Sequence, residues 1–163
     1  MLSSLEEYKR GIYSWVKDIS QLKTVPANRG LKITDAKYIT IDFGTLEEMG
    51  TERVSPEKSE VPIENVDETH IVRYKQQVYI EFYGEETDAD AIKLKQSILT
   101  SSYRSDLKYI SIANSGISNN TVALEDKTYE ERYLLSLLVY FSLQTKTTLE
   151  VIETINYTGK VNP

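Results

Sequence analysis

Few residues in this chain have the types and spacing that chemistry needs. The sole histidine, His70, follows Asp67 and Glu68, and a histidine beside a carboxylate is the pairing used in acid–base catalysis and in metal sites. No cysteine, G-x-S-x-G elbow or H-E-x-x-H helix accompanies it, so a lone histidine at the head of a strand reads as structural. A second concentration, Glu85, Glu86, Asp88 and Asp90, offers the oxygen ligands that a divalent cation takes. It lacks the glycine and closing glutamate of an EF-hand loop, and a helix start attracts acids anyway, because its unpaired N–H groups and dipole favour negative charge. Neither G-x-x-x-x-G-K-[ST] nor G-x-G-x-x-G occurs, which leaves phosphate-loop and dinucleotide chemistry unsupported. The residues therefore predict no catalytic side chain, no cofactor site and no metal site, and the chain reads as a non-enzyme.

The elements that carry these residues belong to one soluble unit. A chain of 163 residues is long enough to bury its own core as a single domain, residues 1–163. Hydrophobic residues make up 40% and charged ones 27%, which excludes wholesale disorder and a membrane-embedded body. The absence of cysteine suits assembly in a reducing cytoplasm. Glu6, Glu7, Lys9 and Arg10 stand where a signal peptide needs its apolar stretch, so no export signal is expected. The net charge of −6 is local. Residues 44–69 hold eight acidic side chains against Arg53 and Lys58, and the rest of the chain holds 17 of each sign. A basic nucleic-acid-binding face is thus not expected.

Along the chain, Ser4 and Glu7 have capping-box spacing, and Leu5, Tyr8, Ile12, Trp15, Val16, Ile19 and Leu22 recur every three or four residues, which predicts a helix ending near Leu22 to Thr24. Residues 26–35 read as a loop, since Pro26 cannot continue a helix. Period-two alternation predicts strands at Tyr38–Phe43 and Ile71–Tyr83, the second placing Val78, Ile80 and Phe82 on one face and Tyr79 and Tyr83 on the other. Between them, residues 44–69 read as a long acidic arm or loose hairpin projecting from the sheet, with Pro56 and Pro62 discouraging regular structure in its middle. A second helix is expected after the N-cap Thr87, with Ala91, Leu94 and Ile98, Ile92 and Leu99 on its apolar side. Further strands follow at 108–113, 131–145 and 150–157, with a turn-rich stretch "NSGISNNT" after the first of these. The fold class is α+β: one mostly antiparallel sheet with two helices on one face and a long acidic arm between its first two strands.

The most apolar segment, Tyr133 to Leu143, is too short for a transmembrane helix, which needs about 20 residues. It reads as a buried strand, with Tyr133, Leu135, Leu137, Val139, Phe141 and Leu143 on one face. Leu134, Leu138 and Tyr140 share the other with Ser136, Ser142 and Gln144. Two helices on one side of a sheet cover only the first set, so the second is expected to meet a neighbouring copy or a partner protein. The twelve tyrosines fit strands and interfaces alike.

The strand "YITIDFGTLEEMGTE", the strand-into-helix stretch "VRYKQQVYIEFYGEETDADAIKLKQSI" and the C-terminal "YEERYLLSLLVYFSLQTKTTLEVIETI", in this order, resemble phage neck-terminator (tail-completion, or tail terminator) proteins over residues 38–157. The resemblance implies a tail-terminator-like fold and a structural role in the virion: a homo-oligomeric ring, hexameric, that caps the tail tube, ends tail assembly and joins the tail to the head. It implies as partners the tail tube protein and the head–tail connector or stopper, with the tail sheath a further candidate. DNA would pass through the ring's lumen without specific binding, and no membrane is involved. On this reading the candidate assembly contacts are Glu47, Glu48, Arg53, Glu57, Lys58 and Glu60 in the acidic segment, with Tyr79, Tyr83 and Tyr140 on the strands. The alternative is a small monomeric α+β module that binds a peptide or small ligand.

Overall fold

The computed structural model describes residues 2–27, 35–54, 65–100, 107, 109–119, 122–123, 129–130 and 132–150. Helix α1, Leu5–Ser20, begins where the sequence places it. The Ser4 hydroxyl accepts the Glu7 N–H at 3.1 Å. The return arm of the box lands one residue earlier than in the usual motif, since the Glu7 carboxylate accepts both the Ser3 N–H at 2.8 Å and the Ser3 hydroxyl at 2.9 Å. These hydrogen bonds to the ionised form hold the Glu7 carboxyl below its ordinary range.

The helix stops at Ser20, earlier than the periodicity predicts. Gln21 takes the left-handed conformation at φ 58° and returns its N–H to the Lys17 carbonyl, a C-terminal cap that glycine more often supplies. Residues Lys23–Pro26 then form an edge strand, β1, which corrects the expected helix end and takes Pro26 out of the expected loop 26–35, most of which lies outside the described residues. Proline is tolerated there because an edge strand need not donate on both sides.

Among the described residues six more strands and one helix follow: β2 (Tyr38–Val54), β3 (Asn65–Tyr83), α2 (Asp88–Ser97), β4 (Ile110–Asn119), β5 (Val122–Ala123), β6 (Tyr129–Glu130) and β7 (Arg132–Glu150). Five of them form a sheet in the order β1-β2-β3-β7-β4, and β5 pairs separately with β6. β1 runs parallel to β2, and every other pairing in the large sheet is antiparallel. The chain thus adopts the expected α+β class, with a mixed, mostly antiparallel sheet.

The strands are longer than their alternation suggests. Residues 44–54 and 65–69 of the acidic segment, expected as an arm, continue β2 and β3 in register with each other down to Val54 opposite Thr69. β7 follows them out, pairing Asn65 with Glu150. What is left of the expected arm or loose hairpin of residues 44–69, namely 55–64 with Glu57, Lys58, Glu60 and both prolines, lies outside the described residues. Likewise β4 runs through "NSGISN", expected as a turn. A register shift between Ala113 and Ser115 absorbs one residue as a bulge, so the stretch stays paired to β7. The expected strand 150–157 lies outside the described residues beyond Glu150.

One core cluster sits between the sheet and the helices. Tyr8, Ile12, Trp15 and Val16 of α1 and Ala91 and Leu94 of α2 meet Ile39, Ile41, Val78, Ile80, Phe82, Leu135, Leu137, Val139 and Phe141 of the sheet. The sheet residues are cross-strand neighbours on one face, as Ile41–Ile80–Leu135 illustrates. Tyr8 stacks on Phe141 with centroids 3.9 Å apart and meets Phe43 edge-on at 5.8 Å. The two helices are joined within the core by Trp15 Nε1, which donates to the Ser97 hydroxyl at 3.1 Å.

Candidate assembly interface

The side of the sheet away from the helices carries the surface that the sequence leaves without cover. Along β7 the burial alternates: Leu135, Leu137, Val139 and Phe141 are buried, and Leu134, Ser136, Leu138 and Tyr140 are half-buried. This far face continues onto β3 as Tyr79 beside Ser136, Gln77 beside Leu138 and Glu81 beside Leu134. On β4 it continues as Gly116 beside Ser136, Ala113 beside Leu138 and Ser118 beside Leu134. Its middle row, Asp42–Tyr79–Ser136–Gly116, runs from an exposed carboxylate on β2 to small residues on β7 and β4.

The three expected tyrosines lie on this face in different settings. Tyr79 is half-buried against Gly44. Tyr83 stacks face to face on Tyr38 with centroids 4.5 Å apart, lies under the Arg132 guanidinium at 4.7 Å and donates its hydroxyl to Glu81. Burial, followed by the Glu81 hydrogen bond, pushes the Tyr83 phenol up to about 12, because both disfavour the phenolate. Tyr140 pairs with Lys75 and Ser111, toward the acidic end of the sheet.

The acidic residues are partly neutralised in place. Glu47 meets Lys75 at 2.8 Å and Glu52 meets Arg73 at 2.5 Å, both across the β2–β3 pair, and the Glu47 contact raises the Lys75 ammonium above its ordinary value. Glu48 accepts the Thr51 hydroxyl at 3.0 Å. Arg53 stands opposite His70 in the ladder. His70 in turn lies 3.3 Å from the buried Glu68 carboxylate, two residues away on the same strand. Glu57, Lys58 and Glu60 belong to residues 55–64. The structure thus brings Tyr79, Tyr83 and Tyr140 onto one sheet face and lines Glu47 and Glu48 along the β2 edge, which beyond Ala27 has no strand beside it among the described residues.

Two bulges interrupt that edge, between Phe43 and Leu46 and between Glu48 and Gly50. Bulges and charges on an exposed edge are devices that stop sheets from pairing indiscriminately. Gly50 has φ 148°, a conformation that other residues rarely adopt, so the second bulge depends on glycine.

The acids near α2 have ordinary structural work. Asp88 and Asp90 lie in its first turn and Glu86 reaches Lys37 at 3.8 Å. Thr87 occupies the cap position without capping: its hydroxyl donates back to the Gly84 carbonyl at 3.0 Å. Among the described residues no three His, Asp or Glu side chains gather as a metal-binding group, and no helix is long and apolar enough to cross a membrane.

Sequence reasoning missed the second apolar surface. Ala91 and Leu94 are buried in the core, but Ile92 is 47% exposed and Leu99 is 89% exposed. The apolar side expected for α2 is therefore split between core and surface. A wide apolar stripe on a short helix does not reveal which of its edges the core will take.

No curated protein matches the chain. The sequence model described as phage neck terminator protein matches residues 6–163, a span that takes in the whole sheet, α2 and all of α1 after its first residue. A sheet closed by helices on one side and lined with leucine and tyrosine on the other is thus the framework of a structural protein of the phage neck, and the chain belongs to the phage neck terminator family.

Proposed function

We propose that this chain, a single domain of 163 residues, assembles as a homo-oligomeric ring that caps the tail tube, ends tail assembly and joins the tail to the head connector or stopper. The observation that carries the proposal is the far face of β3 and β7, where Leu134, Leu138, Tyr79 and Tyr140 remain half-buried in the isolated chain. A sheet with this much apolar surface on its second side gains most by burying it against a protein neighbour. Six copies is the number the family resemblance implies. Tyr79, Tyr83 and Tyr140 are the proposed contacts on the sheet, with Glu47, Glu48, Arg53, Glu57, Lys58 and Glu60 meeting either the next copy or the tube and sheath.

DNA would pass through the lumen of such a ring without specific binding. Phosphate contacts with Lys and Arg are what hold DNA, and a chain with net charge −6 concentrated in one segment favours sliding over binding. Assembly takes place in the host cytoplasm and the product resides in the virion neck.

Light scattering after size-exclusion chromatography, alone and with purified tail tubes, tests the proposal, with negative-stain images of the mixture. Rings in either sample, or tubes capped at one end, are expected. A monomer that neither forms rings nor caps tubes overturns it, and saturable binding of a peptide or small ligand by that monomer would favour a binding module instead.

A further inference from the structure

An open sheet edge is a row of unpaired N–H and C=O groups, a template for another strand. This sheet has two such edges, on opposite sides of β3. β1 covers β2 only from Tyr38 to Ile41, and from Asp42 to Val54 that side of β2 has no strand beside it among the described residues. β4 covers β7 only from Tyr133 to Phe141 and Leu2 bridges Leu143; from Thr145 to Glu150 that side of β7 has no strand beside it among the described residues. Resting on the ring reading above, we infer that the two edges are each other's partners: β2 of one copy pairs in parallel with β7 of the next, with Glu52 facing Lys146.

Direction is the first argument. β2 and β7 both run antiparallel to β3 and therefore parallel to each other, so a copy related by rotation about a ring axis brings its β2 edge beside β7 as a parallel pair. The chain already uses parallel pairing between β1 and β2. Repeated around the ring, it pairs each of these open edges with another copy and leaves none exposed. Antiparallel pairing of β2 with β2 of a second copy would instead close a dimer and set Glu47, Glu48 and Glu52 against the same acids, which like charges across a ladder disfavour.

Backbone phase is the second argument, and charge agrees with it. The Ala27 N–H donates to the Ile41 carbonyl, so Ile41, opposite Ile80, turns its backbone groups away from β3. Every second rung of β3 repeats that orientation, which carries it past both bulges to Thr51 and Arg53, opposite Val72 and His70. On β7 the Gln144 N–H donates to the Leu2 carbonyl, so Lys146 and Thr148 turn their backbone groups outward as well. In a parallel ladder an outward residue bonds to the two residues that flank the one it faces. Lys146 can therefore face Glu52, between Thr51 and Arg53, or Val54, and of these Glu52 offers the opposite charge. Both side chains are exposed and share the far face, since the rungs Glu52–Ile71–Gln144 and Val54–Thr69–Lys146 are two residues apart. This register staggers neighbouring copies by about 7 Å along the strand, as a closed sheet of tilted strands requires.

The cysteine-free sequence allows a direct test by disulfide trapping. Glu52→Cys and Lys146→Cys are combined in one chain, where β3 lies between them and holds them about 10 Å apart, too far to bridge internally. Oxidised under conditions where light scattering shows the oligomer, alone or on tail tubes, this double variant should give a ladder of covalent multimers on a non-reducing gel, at least tenfold above either single variant. A charge exchange gives a second reading without cysteine: Lys146→Glu should weaken the oligomer at least tenfold, and adding Glu52→Lys should restore it. Three outcomes overturn the inference and leave the ring reading standing: an oligomer without the ladder; equally strong linkage of Glu52→Cys to itself, which pairs β2 with β2; or a Lys146→Glu variant that assembles like wild type. A chain that stays monomeric alone and on tubes overturns this inference together with the ring.

Discussion

Gln76 Nε2 donates to the Gly44 carbonyl at 2.6 Å, from a side chain that is almost wholly buried on the core face of β3. Gly44 lies inside the first β2 bulge, between Phe43 and Leu46, where the ladder leaves a backbone group without its usual partner. The glutamine supplies one. This contact marks where β2 passes from the helix-covered core into the acidic half of the sheet. Gln76→Ala should cost about 1–2 kcal/mol, the loss of a buried hydrogen bond and of packing. Gln76→Leu should recover the packing and not the bond. Chemical denaturation of the two variants checks this, and equal stability of Gln76→Ala and wild type would contradict it.

Tyr8 offers the opposite case. Its ring is fully buried and stacked on Phe141, and its hydroxyl is buried without a hydrogen-bond partner among the described residues. Desolvation drives its phenol well above the ordinary value. Tyr8→Phe keeps the stack and removes a polar atom that burial penalises, so it should be neutral or stabilise by up to about 1 kcal/mol. A rise or no change in the thermal midpoint is expected, and a fall of several degrees would show that the hydroxyl has a partner.

Alkaline pH should destabilise the fold. The Tyr83 phenol has a folded value of about 12 against an ordinary 10, so the folded state holds its proton more tightly than the unfolded state. Stability from this group is complete below pH 10 and is lost as pH rises from 10 toward 12, and Tyr8 acts in the same direction. Thermal melts between pH 8 and 11.5 should show the midpoint falling above pH 10, less steeply in Tyr83→Phe.

Core and surface substitutions should separate cleanly. Leu137 is buried in the central strand β7 and Glu48 is exposed on the β2 edge. Leu137→Asp places an unpaired charge in the core and should cost about 3–5 kcal/mol, enough to unfold a domain of marginal stability. Glu48→Lys should change stability by less than about 0.5 kcal/mol and act, if anywhere, on assembly. Circular dichroism melts rank the two, and the reverse order would exchange core and edge.

Much of this architecture is legible in local pattern. The Ser4–Glu7 spacing and the recurrence of Tyr8, Ile12, Trp15 and Val16 determine α1, because capping and helical periodicity act within a few residues. The alternation around Val78, Ile80 and Phe82 and along Leu135 to Phe141 determines two strands and the face each buries. The two-sided apolarity of β7 also points to a far face in want of cover.

Pairing over long distances decided the rest. Residues 44–54 look like a loop because their charges and glycines lack alternation, yet β3, itself backed by β7, holds them in a ladder, and the bulges at Gly44 and near Gly50 absorb the misfit. "NSGISN" becomes strand for the same reason, with β7 beside it and a bulge to restore register. β1 exists only because Lys23–Pro26 finds the edge of β2. Which side of α2 enters the core, leaving Ile92 and Leu99 outside, depends on where Trp15 and Ser97 meet. No window of sequence contains both of those residues.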